Sequence, residues 1–127
     1  MGSKITAIEY VKAQRLRQAF AQGMRALMQQ VDMLALPTLP ILPPRRDQLD
    51  QPIRLGDQEY EPGATMLRFT FLFNLTGQPA LSLPCGFSTS RLPIGLQLVG
   101  RHHEETAILC TGHAYRQATD WHLRQPS

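Results

Sequence analysis

The chain has 127 residues, 43% of them apolar and 18% charged, and a formal net charge of +3. This is the composition of one small globular domain with a modest core, and it excludes a disordered chain. No apolar run approaches the roughly 20 residues that span a bilayer, and the basic residues are too scattered for a nucleic-acid stripe, so neither a membrane nor a nucleic acid is expected as a partner. Met1-Gly2-Ser3 is either a native start or a cloning remnant, and no apolar signal region follows it. Cys85 and Cys110 do not make a disulfide framework. Both are expected to be buried and reduced, which suits a cytoplasmic location.

In chain order, residues 6–30 are expected to form one long helix. Thr6-Ala7-Ile8-Glu9 fits a capping box. Ile8, Val11, Leu16, Phe20, Met24, Leu27 and Val31 recur at helical spacing and predict a buried stripe. Met33-Leu34-Ala35-Leu36 predicts a strand buried on both faces, ended by Pro37 and Pro40. Residues 41–62 show no periodicity, and their prolines mark a long irregular loop, either a functional flap or an insertion.

Residues 64–75 are nearly all apolar and are expected to form a short buried helix, with a strand as the alternative. Gly77 is free to take a positive φ and stop it. Two apolar runs, about 80–87 and 93–100, flank the polar turn Ser88-Thr89-Ser90-Arg91-Leu92 and predict a β-hairpin. Residues 104 to about 119 predict a closing helix, with Glu104 and Glu105 at its positive end. Ala107, Cys110, Thr111, Ala114 and Ala118 would form its sheet-facing side, and Trp121 would pack its end. The expected architecture is α/β: a partial mixed sheet with a hairpin, covered by a long N-terminal helix and a C-terminal helix, in a single domain spanning 1–127. Such strands need neighbours or they expose edges.

The run Asn74-Leu75-Thr76-Gly77, then Pro79-Ala80, then Pro84-Cys85-Gly86-Phe87, then Leu92-Pro93-Ile94-Gly95-Leu96-Gln97 is a specific combination. With the helix opening at Ile5-Thr6-Ala7-Ile8-Glu9-Tyr10, the Leu36-Pro37-Thr38 strand end and the final Ala114–Thr119 helix, it resembles the C-terminal portion of the amidase signature family. That family includes general amide hydrolases and the A subunit of the amidotransferase that makes glutaminyl- or asparaginyl-tRNA. The resemblance implies hydrolysis of amide C–N bonds by a serine nucleophile, a bridging serine in a cis peptide, and a lysine, in and upstream of a Gly/Ser-rich segment.

That segment has no counterpart in this sequence, whose only lysines are Lys4 and Lys12. No catalytic residue is therefore expected in the chain. The resemblance implies instead that it lines part of a substrate pocket, with Thr38, Phe71 and Asn74 as candidates. Where many relatives carry Thr-Arg-Pro-Phe-Asn, this chain has Thr70-Phe71-Leu72-Phe73-Asn74, and Leu67-Arg68 lacks the acidic residue of glutamine-handling relatives. This argues against glutamine as substrate.

Ser88 and Ser90 are expected to be turn residues, Ser82 a satisfied strand hydroxyl, and Phe69-Phe71-Phe73 core. His102 and His103 are expected to be a solvated pair. With His113 and His122 they lack the carboxylate or cysteine spacing of a zinc site, so neither metal nor cofactor is expected. The alternative is a noncatalytic interaction module that self-associates or complements a chain carrying the catalytic half. A small binding protein with residues 41–62 as a lid is a third possibility.

Overall fold

The computed structural model describes residues 4–49 and 51–125; Met1-Gly2-Ser3 lies outside them. Helix α1 spans Ala7–Met28, followed by strand β1, Leu34–Pro37. A short 3-10 turn at Arg46–Gln48 precedes a small hairpin of β2 (Ile53–Leu55) and β3 (Gln58–Tyr60). Helix α2 covers Pro62–Thr76, strands β4 and β5 cover Ala80–Phe87 and Pro93–Val99, and helix α3 covers Glu105–Ala118 before a final 3-10 turn, Trp121–Leu123.

The main sheet has the order β1-β5-β4. Both of its pairings are antiparallel. A mixed sheet is expected from the sequence, but these three strands express only the antiparallel part. The short Ser88–Leu92 turn forces that arrangement on β4 and β5, and no helical crossover joins parallel neighbours within them. In this turn Ser88 accepts a hydrogen bond at its hydroxyl from the Leu92 N–H at 3.1 Å, as a turn residue does.

Helices α1 and α2 cover one face of the sheet. Met24, Met28, Phe73 and Val99 form the buried cluster there, packed by Val31, Leu34, Leu36 and Leu72. Helix α3 covers the other face. A Cβ on Gly112 would stand 2.5 Å from Leu81 Cδ2 and 3.2 Å from Leu83 Cδ1, so the missing side chain sets how closely this helix lies on β4.

Several expectations are corrected by this packing. The α1 stripe is not buried: Ile8, Val11, Leu16, Phe20 and Leu27 are exposed, and only Met24 and Met28 reach the core. Met24 and Met28 lie near the C-terminal end of the helix, and along the rest of it the described residues bury none of the apolar side chains. Strand β1 alternates half-buried and exposed residues instead of being covered on both faces. Helix α2 is only partly buried: Phe73 is in the core while Leu67 and Phe71 are exposed. Helical geometry splits the Phe69-Phe71-Phe73 alternation between faces.

On α3 the covered side is Ile108 and Gly112, while Ala107, Cys110, Thr111, Ala114 and Ala118 are exposed. Ile108 sits over Gly100, with Cγ2 2.8 Å from where a Cβ would stand, and this turns Cys110 to the opposite side. The expected 41–62 loop is not wholly irregular. Gly56, at φ 63°, lets Ile53–Leu55 fold back on Gln58–Tyr60, and Arg54 pairs with Glu59 across the ladder at 2.8 Å.

Candidate functional site

A cleft of about 500 Å³ opens beside the sheet, between the segment that follows β1 and the turn end of the β4–β5 hairpin. Its walls are Thr38 to Pro43 on one side and Ser82 to Pro84 with Pro93 to Gly95 on the other. Proline explains why this end is open. Pro37, Pro40 and Pro43 stop β1 from running on, and Pro84 and Pro93 withhold ladder donors. The β4–β5 register breaks between Pro84 and Gly86, leaving Cys85 as the bulged residue.

At the floor of the cleft the backbone N–H of Thr38 donates to the carbonyl of Gly95 at 2.8 Å. The hydroxyls of Thr38 and Ser82 meet at 2.6 Å. Thr38 directly follows β1 and Ser82 stands on β4, on either side of β5, and they reach each other over Gly95. A Cβ at Gly95 would lie 2.7 Å from Thr38 Oγ1 and 3.1 Å from Ser82 Oγ. The glycine is what permits the contact. Its signal in the sequence is Pro-x-Gly in a strand, where a bare backbone marks close approach.

None of the lining residues carries a charge. The cleft can hold an apolar body and exchange hydrogen bonds with one polar group through its two hydroxyls. Among its lining residues there is no base to take a proton from either hydroxyl, and an unassisted alcohol is a weak nucleophile. Burial pushes the Cys85 thiol up, away from the thiolate form, and its sulfur donates to the Ile94 carbonyl at 3.5 Å.

Of the three expected pocket residues, Thr38 lines this cleft. Phe71 and Asn74 are exposed on α2 and do not line it. The link from α2 to this part of the sheet is Gln97. It is buried on β5 opposite Ser82 and donates from its side-chain amide to the Phe69 carbonyl at 3.4 Å.

A second cleft, of about 520 Å³, lies where α1 meets the residues after β5. Arg101 organises it. Its guanidinium donates to the carbonyls of Met28 at 2.9 Å and Val31 at 3.1 Å, and to Asp32 Oδ1 at 3.0 Å. These acceptors include carbonyls left open at the C-terminal end of α1. The imidazole of His102 contacts the buried Gln78 amide, Nε2 to Nε2 at 3.2 Å, so His102 is half-buried rather than solvated; His103 is exposed. Among the described residues no group of three His, Cys, Asp or Glu side chains could hold a metal ion, and no helix is long and apolar enough to cross a membrane.

The family profile described as Amidase matches residues 1–109. This chain belongs to the amidase family. It is 40% identical over 118 residues to the A subunit of glutamyl-tRNA(Gln) amidotransferase from Azoarcus sp. (strain BH72), covering 92% of this chain and 23% of that protein. It is 42% identical over 120 residues to the corresponding protein of Microcystis aeruginosa (strain NIES-843 / IAM M-2473), covering 93% and 23%. Among solved structures, a substrate complex of 6-aminohexanoate cyclic dimer hydrolase superposes with a TM-score of 0.84 at 27% identity, covering 98% of this chain and 27% of that one. A bacterial aryl acylamidase of the amidase signature enzymes family gives 0.80 at 26% identity, covering 95% and 25%. The α/β architecture is thus that of an amidase-signature fold, and the chain spans only 23% to 27% of these relatives.

Proposed function

We propose that this amidase-family chain forms the C-terminal part of a hydrolase acting on amide C–N bonds, and that it supplies one wall of the substrate cleft while the nucleophile lies outside it. The observation that carries the reading is the cleft at Thr38 and Ser82. It has apolar walls, two hydroxyls in mutual contact and no charged group among its lining residues. It is equipped to hold a substrate and not to attack one. The absence of a Gly/Ser-rich run from the sequence supports the same division of labour, as does the confinement of lysine to Lys4 and Lys12. On this reading Phe71 and Asn74 face the remainder of the enzyme from α2, the isolated chain is inactive, and its place is cytoplasmic.

The test is a fluorophosphonate probe applied to the pure chain, beside an active amidase-signature enzyme. The chain is expected to stay unlabelled and to turn over neither aliphatic nor aromatic amides. A labelled hydroxyl on homogeneous chain overturns the reading.

A second reading, a noncatalytic module that self-associates or pairs with a chain carrying the catalytic half, is favoured by the exposed apolar residues of α1. Light scattering across a range of concentrations separates the two. Growth in mass with concentration supports association, and a constant monomer mass removes its self-associating form.

A further inference from the structure

We propose that His102, Gln78 and Thr76 form a one-way hydrogen-bond latch that fastens the segment after β5 to the last turn of α2, with the Gln78 side-chain oxygen turned toward His102 and the imidazole proton held on Nε2. Three contacts make up the latch. The Thr76 hydroxyl stands 2.8 Å from the Leu72 carbonyl and also touches the oxygen of the Gln78 side-chain amide. The nitrogen of that amide stands 3.2 Å from His102 Nε2. Thr76 and Gln78 are buried, at 4% and 7% of full accessibility. Polar groups buried to this degree must satisfy one another, because leaving one unpaired costs free energy.

Counting protons decides which way the amide faces. Its oxygen and nitrogen are nearly the same shape, so the partners set the orientation. A hydroxyl carries one proton. With the amide oxygen against Thr76, that proton has two acceptors to serve, the Leu72 carbonyl and the amide oxygen. One contact is then oxygen against oxygen with no proton between them. The amide nitrogen, meanwhile, can donate to His102 only if Nε2 is bare. A half-turn of the amide about its last bond removes both conflicts and moves nothing else. The amide N–H then donates to the Thr76 oxygen, the Thr76 O–H donates to the Leu72 carbonyl, and His102 Nε2–H donates to the amide oxygen. Every contact has one donor and one acceptor.

The latch sits where the chain leaves α2 for β4. Gly77 lies between Thr76 and Gln78 at φ 84°, and a Cβ on it would stand 3.2 Å from His102 Cε1. The imidazole thus lies across the turn. The preceding residue, Arg101, holds the end of α1 through the Met28 and Val31 carbonyls. Two successive side chains therefore fasten the C-terminal ends of both helices that cover this face of the sheet. The charged and titratable groups around the imidazole are Arg25 of α1, Arg101 and His103 beside it, and Glu104 at the start of α3. Nδ1 takes no part in the three contacts, so a second proton can enter the ring there and leave the latch whole. The opposite amide orientation has no such freedom, because it needs Nε2 bare and fails when the ring is charged. This inference stands apart from the amide-hydrolase reading and survives or fails without it.

The experiment is nuclear magnetic resonance on the full chain labelled with nitrogen-15 and carbon-13. Through-space transfer is expected to place the Gln78 side-chain NH2 protons beside the Thr76 side chain and away from the His102 ring protons. The imidazole nitrogen signals are expected to show the neutral ring protonated at Nε2 alone. Both patterns at Gln78 and Nε2 should persist as pH falls from about 8 to about 5, the range in which histidine takes up its second proton. In Gln78→Met, an apolar side chain of similar length, a share of the neutral His102 ring should move to the form protonated at Nδ1. A glutamine that only fills space would leave that balance untouched. Gln78 NH2 protons found beside the His102 ring, a neutral ring bare at Nε2, or an amide that turns over as pH falls each overturn the proposal. So does a folded Gln78→Met chain with the imidazole proton still on Nε2 alone.

Discussion

Gly95 shows how one absent side chain shapes the candidate cleft. The Thr38 and Ser82 hydroxyls touch at 2.6 Å because nothing on β5 stands between them. In Gly95→Ala the new methyl would meet both oxygens inside contact distance. The hydroxyls must part, and overpacking of this kind costs about 1–3 kcal/mol. Denaturant unfolding should show the loss, while Thr38→Val with Gly95→Ala should recover less than Thr38→Ala with Gly95→Ala, because only the smaller residue yields space. Equal stability of Gly95→Ala and wild type would mean that the contact has no part in holding the cleft's floor. The sequence marks the ingredients of this site but not their meeting. Thr38 and Gly95 stand out in their motifs, and Ser82 is visible as a strand hydroxyl. That the two hydroxyls share one cleft depends on β5 lying between β1 and β4, and strand order is not written in local pattern.

At the level of single elements, the ends of the helices are legible because their chemistry is local. Thr6 and Glu9 exchange hydrogen bonds as the capping box requires. Gly77 ends α2 in the left-handed region at φ 84°. A side chain there would be strained by that φ and would also stand 3.2 Å from His102 Cε1. Gly77→Ala is therefore expected to lose more than about 1 kcal/mol, whereas Gly23→Ala, the same change at an unstrained and open helix position, should gain about 0.8–1 kcal/mol. Thermal melts of the two variants should move in opposite directions.

The cap of α2 carries a pH dependence. The backbone N–H groups of Ala64 and Gly63 donate to the Glu61 carboxylate and hold its pKa below the ordinary value. A group whose folded pKa is depressed stabilises the fold above its unfolded value, near 4.3. That contribution is lost as pH falls through the folded value. Wild type should lose stability relative to Glu61→Gln as pH falls from about 5 to about 3, and parallel acid melts of the two would remove the cap's role. The faces of the helices are less legible than their ends. On α3 the same period fits the small-residue line from Ala107 and the line of Ile108 and Gly112, and only the fit of Ile108 over Gly100 and of Gly112 over Leu81 decides between them.

Across the whole molecule, α1 is attached at one end and bare along the rest. Periodicity locates an apolar stripe, but burial also needs an opposing surface, which the described chain does not provide. The attachment depends on Arg101, whose importance no local pattern announces. Its partners are Met28, Val31 and Asp32, about seventy positions earlier, and two of its three acceptors are main-chain carbonyls. The guanidinium fork suits this task because it aims several donors at once in a fixed plane. Lysine keeps the charge but carries its three N–H donors on one nitrogen, without the spread of the guanidinium fork. Arg101→Lys should thus resemble Arg101→Ala more than wild type, each losing about 1–3 kcal/mol, with carbonyls left unmet at the end of the helix. The loss should also be local in origin. Hydrogen exchange should quicken first at the last turns of α1 and in β1, while the β4–β5 hairpin, paired by its own ladder, keeps its protection. Uniform loss of protection across the sheet would show that Arg101 supports the core as a whole rather than the joint between α1 and the body.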